Sequence, residues 1–230
     1  MIAAYLDMLG TTDMIQSAGS AEACRNLHAL YQRAYALGTG QTFGEINIKI
    51  FSDNLILAQA LDGKNDKAII SSFIQVIAAL QFDSLSTYDW LLRGGITIGD
   101  LFMDDIMVWG EALVRSYQLE DHVAVFPRVV IDPTPDIYAA LSRAGIHGNS
   151  WLQYDADGLY FLHYLYSRWN YRDLAQSMCR SFDHILERTR KSGGTISPGI
   201  LQKLSWHKRY VNRFLRTLEN PSALLRLPSI

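Results

Sequence analysis

The stretch Ile46-Asn47-Ile48-Lys49-Ile50-Phe51-Ser52-Asp53-Asn54-Leu55-Ile56-Leu57-Ala58 decides how the chain folds. Two apolar, β-branched runs meet at a short polar turn, Ser52-Asp53-Asn54, the pattern of a β-hairpin with one carboxylate at its tip. An Asp in a turn has an ordinary job, because its side chain bonds to nearby backbone. A second carboxylate gives Asp53 another. Ala3-Ala4-Tyr5-Leu6-Asp7-Met8-Leu9-Gly10 is a further short apolar run that ends in Asp and then Gly. Two strands that deliver an Asp each to one end of a sheet can hold a pair of divalent cations.

Outward from the hairpin, strands and helices alternate. Residues 2–8 read as a strand. Gly10-Thr11-Thr12-Asp13 follows as a turn whose amides can meet phosphate oxygens or be capped by Thr12 or Asp13. Helical spacing covers 20–37, closed by Gly38 and Gly40. Lys67 to Leu80 is a strongly apolar helix expected to lie on a sheet. Residues 90–99 and 106–109 are strand-like, with Asp104-Asp105 as the turn between them. Gly94, Gly95 and Gly99 suggest close backbone approach. A helix runs from Glu111 to about Val125, then a strand over 128–132 and a helix from Pro135 to Ala144. The aromatic run 159–166 reads as a strand, and helices over about 171–190 and 198–219 finish the chain. Short strands mixed with helices and two hairpins predict an α+β fold with a mixed sheet.

The 230 residues are 49% hydrophobic and 19% charged, with net charge −2, which argues against a general nucleic-acid or membrane-surface binder. Cys24 and Cys179 have no CxxC partner, so neither a disulfide framework nor a zinc site is expected. No basic leader precedes an apolar core, and no apolar run reaches the roughly 20 residues of a membrane span. A cytoplasmic protein is the expectation. The six histidines lack i, i+4 spacing, and no GxxxxGK[ST] loop is present. The run Trp206-His207-Lys208-Arg209-Tyr210-Val211-Asn212-Arg213 is basic and aromatic. It reads as a half-solvated helix with a Trp anchor, with contact to a nucleotide as the alternative.

Four segments in this order resemble the class III nucleotidyl cyclase catalytic domain. Tyr5-Leu6-Asp7-Met8-Leu9-Gly10 looks like its first strand, ending in a metal-binding Asp and a phosphate loop. Ser52-Asp53 looks like the Gly-Asp at its second hairpin tip. Arg93-Gly94-Gly95-Ile96-Thr97-Ile98-Gly99 looks like its Arg-x-Gly-Ile-x-x-Gly strand, and Val108-Trp109-Gly110 leading to Leu119-Glu120 looks like the passage to its transition-state helix. The resemblance covers about residues 2–135. It implies a ferredoxin-like βαββαβ core with helices packed on the sheet, over residues 1–150, and a C-terminal strand and helices over 151–230 packed on the same domain. Among its members, a stand-alone domain with Phe-Ser-Asp-Asn, Leu-Arg-Gly-Gly-Ile-Thr-Ile-Gly and Trp-Gly-Glu-Ala-Leu-Val-Arg-Ser-Tyr-Gln-Leu-Glu looks most like the pyrimidine cyclases of bacterial Pycsar antiphage systems.

The resemblance implies cyclisation of UTP, favoured over CTP, by two magnesium or manganese ions held by Asp7 and Asp53. Substrate phosphates would lie at Met8, Leu9, Gly10 and Thr11. Lys49 takes the place of the family's base-reading Lys, whereas Met107 stands where adenylate-forming members have Asp. The helix Asn and Arg of the family fall on Val114 and Gln118, so Arg115 and then Arg93 become the candidate transition-state cations. Arg115 reads equally well as a solvent-facing helix arginine, and Lys49 as a guard on a strand edge. The resemblance further implies a homodimer with interfacial sites, and a separate effector that responds to the cyclic nucleotide. A purine cyclase and a catalytically silent nucleotide-binding or dimerisation domain are the alternatives.

Overall fold

The computed structural model describes residues 1–11, 20–40, 44–146, 151–166, 183–187, 190 and 197–217. Nine strands are found there: β1 (Ile2–Leu9), β2 (Asn47–Phe51), β3 (Asn54–Gln59), β4 (Leu91–Ile98), β5 (Phe102–Met103), β6 (Val108–Trp109), β7 (Val129–Ile131), β8 (Leu152–Tyr154) and β9 (Tyr160–Leu162). The helices are α1 (Ser20–Thr39), α2 (Asp66–Tyr88), α3 (Glu111–Gln118), α4 (Pro135–Arg143) and α5 (Pro198–Thr217). Seven strands make one sheet in the order β2-β3-β1-β4-β7-β9-β8, and β5-β6 is a separate hairpin. β1 runs antiparallel to both β3 and β4, while β4 and β7 are parallel. The first four strands and two helices thus form the expected mixed α+β core, with β1 at its centre.

Alternation along β1 explains its place. Ile2, Ala4, Leu6 and Met8 enter a core shared with Leu30 and Ala34 of α1 and Phe73, Ile74 and Ile77 of α2. On the opposite face Ala3 packs with Ala58 and Ala112, so small residues let α3 lie close to the sheet. A Cβ on Gly95 would collide with the Leu119 side chain and the Ser116 carbonyl, so the glycine sets how near α3 comes to β4. Gly110, at φ 146°, opens α3 against the Asp100 carbonyl in a backbone conformation that disfavours any side chain.

Four expectations change. The runs 90–99 and 106–109 do not pair with each other: β4 lies between β1 and β7, and β6 pairs with β5 across the 104–107 turn. α2 runs past Leu80 to Tyr88, because the polar residues of its last turns are buried and bonded: Gln81 donates to the Leu92 carbonyl at 3.4 Å and Ser84 to the Trp90 carbonyl at 3.0 Å. That helix is long and apolar enough in composition to cross a membrane, which the sequence expectation did not allow for. Most of it is buried inside this protein, between the sheet and its neighbouring helices. α3 ends at Gln118 and continues as a π-helical turn over Leu119–Val123. The strand expected over 159–166 stops at Leu162, and the following aromatics turn under α5. There His163 meets the Tyr210 hydroxyl at 2.8 Å and Tyr164 meets His207 at 2.6 Å. Leu152, Phe161, Leu162, Tyr210 and Phe214 join the same apolar cluster as β1. The helix expected over 171–190 and the site of Cys179 lie largely outside the described residues.

Candidate active site

Strand pairing gathers the carboxylates. Asp7 sits opposite Asn54 on one side and opposite Arg93 on the other. Asp53 therefore lies beside Asp7 at the same end of the sheet. The hairpin tip is a two-residue loop with Ser52 at φ 57°, a left-handed conformation that such loops need to match the strand twist. Tyr31 of α1 fastens the tip, its hydroxyl donating to the Ser52 carbonyl at 2.6 Å. The Thr11 hydroxyl is 3.1 Å from the Met8 carbonyl and donates to the Asp53 carboxylate. The loop Met8-Leu9-Gly10-Thr11 and the hairpin tip thus close around one point.

Arg93 bridges two acids. Its Nε is 3.0 Å from Asp7 Oδ2 and its Nη2 is 2.6 Å from Glu120 Oε1. Burial raises the Asp7 pKa; Arg93 opposes that shift, and the neighbouring Asp53 charge adds to it. The Glu120 carboxyl is pushed up to about 7 by burial, with Arg93 again opposing and Asp7 adding. Lys203 of α5 lies within reach of the same charges. Its pKa is lowered by burial and by Arg93, and held up by Asp7 and Glu120. Asp7, Asp53 and Glu120 thus share the neighbourhood of one arginine and one lysine. Glu120 and Lys203 are the members that sequence reasoning left without a role. The π-helical turn that points Glu120 inward has no sequence signal, and Lys203 comes from a helix far along the chain.

The remaining predicted residues lie elsewhere. Lys49 donates to the Asp105 carbonyl at 2.7 Å, which ties β2 to the β5-β6 hairpin that also carries Met107. Arg115 is held by Asp132 through two bonds, Nε at 2.9 Å and Nη2 at 2.7 Å, with Thr97 donating to the same carboxylate. Thr97 is four residues from Arg93, roughly 13 Å along the strand, so the structure does not bring Arg115 to Asp7 within one protomer. Val114, Tyr117 and Gln118 lie on the exposed face of α3.

Among the described residues no three or more His, Cys, Asp or Glu side chains form a ready metal cage. The pair Asp7 and Asp53 nevertheless suits magnesium or manganese. Such ions are commonly held by one or two carboxylates and take their other ligands from substrate phosphates, backbone carbonyls and water. A divalent cation between the two carboxylates would offset both the burial that raises the Asp7 pKa and the repulsion from Asp53.

No family profile and no curated protein matches the sequence. Several solved structures resemble it. The adenylyl cyclase CyaB from P. aeruginosa is similar over 70% of this chain and 92% of that one, at 14% identity and a TM-score of 0.48. The dimeric guanylyl cyclase domain of the RhoGC fusion protein from the aquatic fungus Blastocladiella emersonii is similar over 70% and 91%, at 10% identity and 0.49. The guanylate cyclase domain of RhGC from Catenaria anguillulae, in complex with GTP, is similar over 70% and 94%, at 11% identity and 0.45. These are likenesses of chain path.

Proposed function

We propose that this chain is a nucleotidyl cyclase that converts a pyrimidine triphosphate, UTP in preference to CTP, to its 3′,5′-cyclic monophosphate and pyrophosphate. The observation that carries the reading is the meeting of Asp7 and Asp53 from two strands, beside a loop that closes on Asp53 through Thr11. In the reaction the ribose 3′-oxygen bonds to the α-phosphorus, the bond from that phosphorus to the β-phosphate oxygen breaks, and the hydroxyl proton leaves. Two magnesium or manganese ions, when bound, supply activation of the hydroxyl and neutralisation of the leaving pyrophosphate.

The chain's own groups hold and orient. Asp7 and Asp53 hold the cations, and Arg93 fixes the Asp7 carboxylate while Glu120 fixes Arg93. Amides of Met8, Leu9, Gly10 and Thr11 face the phosphates, and Lys203 adds a cation on that side. Lys49, steered by the Asp105 carbonyl, and Met107 present the base-reading edge. Arg115 keeps Nη1 unused among the described residues and is assigned to a partner's substrate across an interface.

That interface is a second copy of this chain. Ile106 is 91% exposed and Trp109 72% exposed on the β5-β6 hairpin, and Phe51, Val114 and Tyr117 stand exposed on the adjoining β2 and α3. Apolar exposure on this scale marks a contact surface. Residues 1–150 form the cyclase core in this reading, with 151–230 packed on it. The resemblance to the Pycsar enzymes extends the proposal to a cytoplasmic synthase in antiphage defence, signalling to a separate effector.

The test is to incubate the protein with each ribonucleoside triphosphate and manganese, with Asp53→Ala alongside, and identify products by mass spectrometry. Cyclic UMP or cyclic CMP that disappears in the variant is expected. Cyclic AMP or cyclic GMP would overturn the choice of base. No cyclic product from any triphosphate would overturn the enzyme reading in favour of a silent domain.

A further inference from the structure

A cavity of about 500 Å³ opens between the β8-β9 turn and α5. It falls within the range of small-molecule sites. Its floor is aromatic: Trp206 and Tyr210 are stacked at 5.7 Å between ring centres, and Phe161 meets both edge-on. Phe126 stacks on Trp206 from the other side, and Tyr154 stands exposed at the rim. Arg209 and Arg213, one helical turn apart, point outward from α5 along the opposite rim.

The charges around the cavity are unevenly satisfied. Asp155 and Asp157 are both taken by Arg128, which is 1% exposed and lies over the Phe126 and Trp206 rings. The Trp206 indole also donates to Asp155, at 2.7 Å. Arg209 and Arg213 have no acidic partner among the described residues. Two carboxylates thus face three guanidiniums, and the two arginines at the mouth are the ones left over. The floor rings are buried against one another, so the ring free to take a planar π-system is the exposed Tyr154, and the two guanidiniums without an acidic partner select a phosphate. Gln153 adds an amide that can read a base edge.

We propose that this cavity binds a nucleoside monophosphate, the base lying against the exposed Tyr154 ring and the phosphate held by Arg209 and Arg213. The site is separate from Asp7 and Asp53 and needs no metal. It shares α5 with them: Lys203 lies six residues before Arg209, about 9 Å along the helix axis. Occupancy is therefore placed to be felt at the candidate active site.

The test is calorimetric titration of the full chain with UMP, AMP and inorganic phosphate separately, all in EDTA, which separates this site from a metal-dependent one. Saturable binding of UMP or AMP is expected. Arg209→Ala with Arg213→Ala should weaken it by about tenfold or more, and Tyr154→Ala should weaken the nucleotides but not phosphate. All three side chains are exposed, so an unchanged melting temperature certifies the fold. Absence of nucleotide binding at millimolar concentration, or binding unaltered in the arginine double variant, would overturn the proposal. Phosphate binding as tightly as the nucleotides would overturn the base-stacking half of it.

Discussion

Ser52 holds a backbone conformation that costs an L-residue about 1 kcal/mol or more. The turn requires it, since the two-residue loop must twist with its strands to deliver Asp53. Ser52→Gly should stabilise the protein by about 1 kcal/mol, an upward shift of about 2–4 °C in melting temperature. An unchanged or lower midpoint in a thermal scan would show that the loop is not strained. At the next strand, Arg93 neutralises two acids of which Glu120 is almost fully buried. Arg93→Met should cost about 1–3 kcal/mol by leaving them unpaired. Glu120→Gln in the same chain should recover part of that loss in a denaturant titration, and a simple sum of two losses would contradict the coupling.

Among the elements, α3 and its π-helical extension carry the most consequence, because their distance from β4 sets where Glu120 and Arg115 stand. Gly95→Val would push Leu119 and the Ser116 carbonyl away from the strand, at a cost of about 1–3 kcal/mol. It should lower both the denaturation midpoint and any cyclase turnover, while a surface change such as Glu111→Gln leaves both alone. Much of this level was legible beforehand. Short apolar runs ending at Asp-bearing turns gave β1 and the hairpin, Pro135 gave the start of α4, and the paired glycines gave the close approach at β4. What escaped has a common cause. The last turns of α2 are helical because Gln81 and Ser84 find strand carbonyls, the 159–166 run is cut short by aromatic contacts to α5, and a π turn depends on packing. Each is settled by partners distant in sequence.

Across the whole molecule, the sheet collects Asp7 and Asp53 at one end while leaving Arg115 with Asp132 at the other, so the groups assigned to chemistry meet only if two chains meet. The residue types at both places were readable; the Asp132 pairing and the approach of Lys203 were not, since both depend on strand order and on the C-terminal helix. That helix also imposes a pH limit. Burial pushes the His163 pKa down to about 4 and that of His207 down to about 3, so both are neutral when folded. Unfolding lets each take a proton below its ordinary value of about 6.5. Stability should then be full above that pH and fall as pH drops towards the folded values, by up to about 1.4 kcal/mol per pH unit per histidine. His207→Gln should flatten the slope, and an identical slope in that variant would remove His207 from the account.

The central claim is that Asp7 and Asp53 act together on divalent cations. The most direct measurement is manganese binding followed by electron paramagnetic resonance, with an unreactive UTP analogue present, for the native chain and for Asp53→Ala. Two ions per protomer are expected in the native chain, with loss of tight binding and a retained fold in the variant. Equal manganese binding by both proteins, or none by either, would contradict that claim.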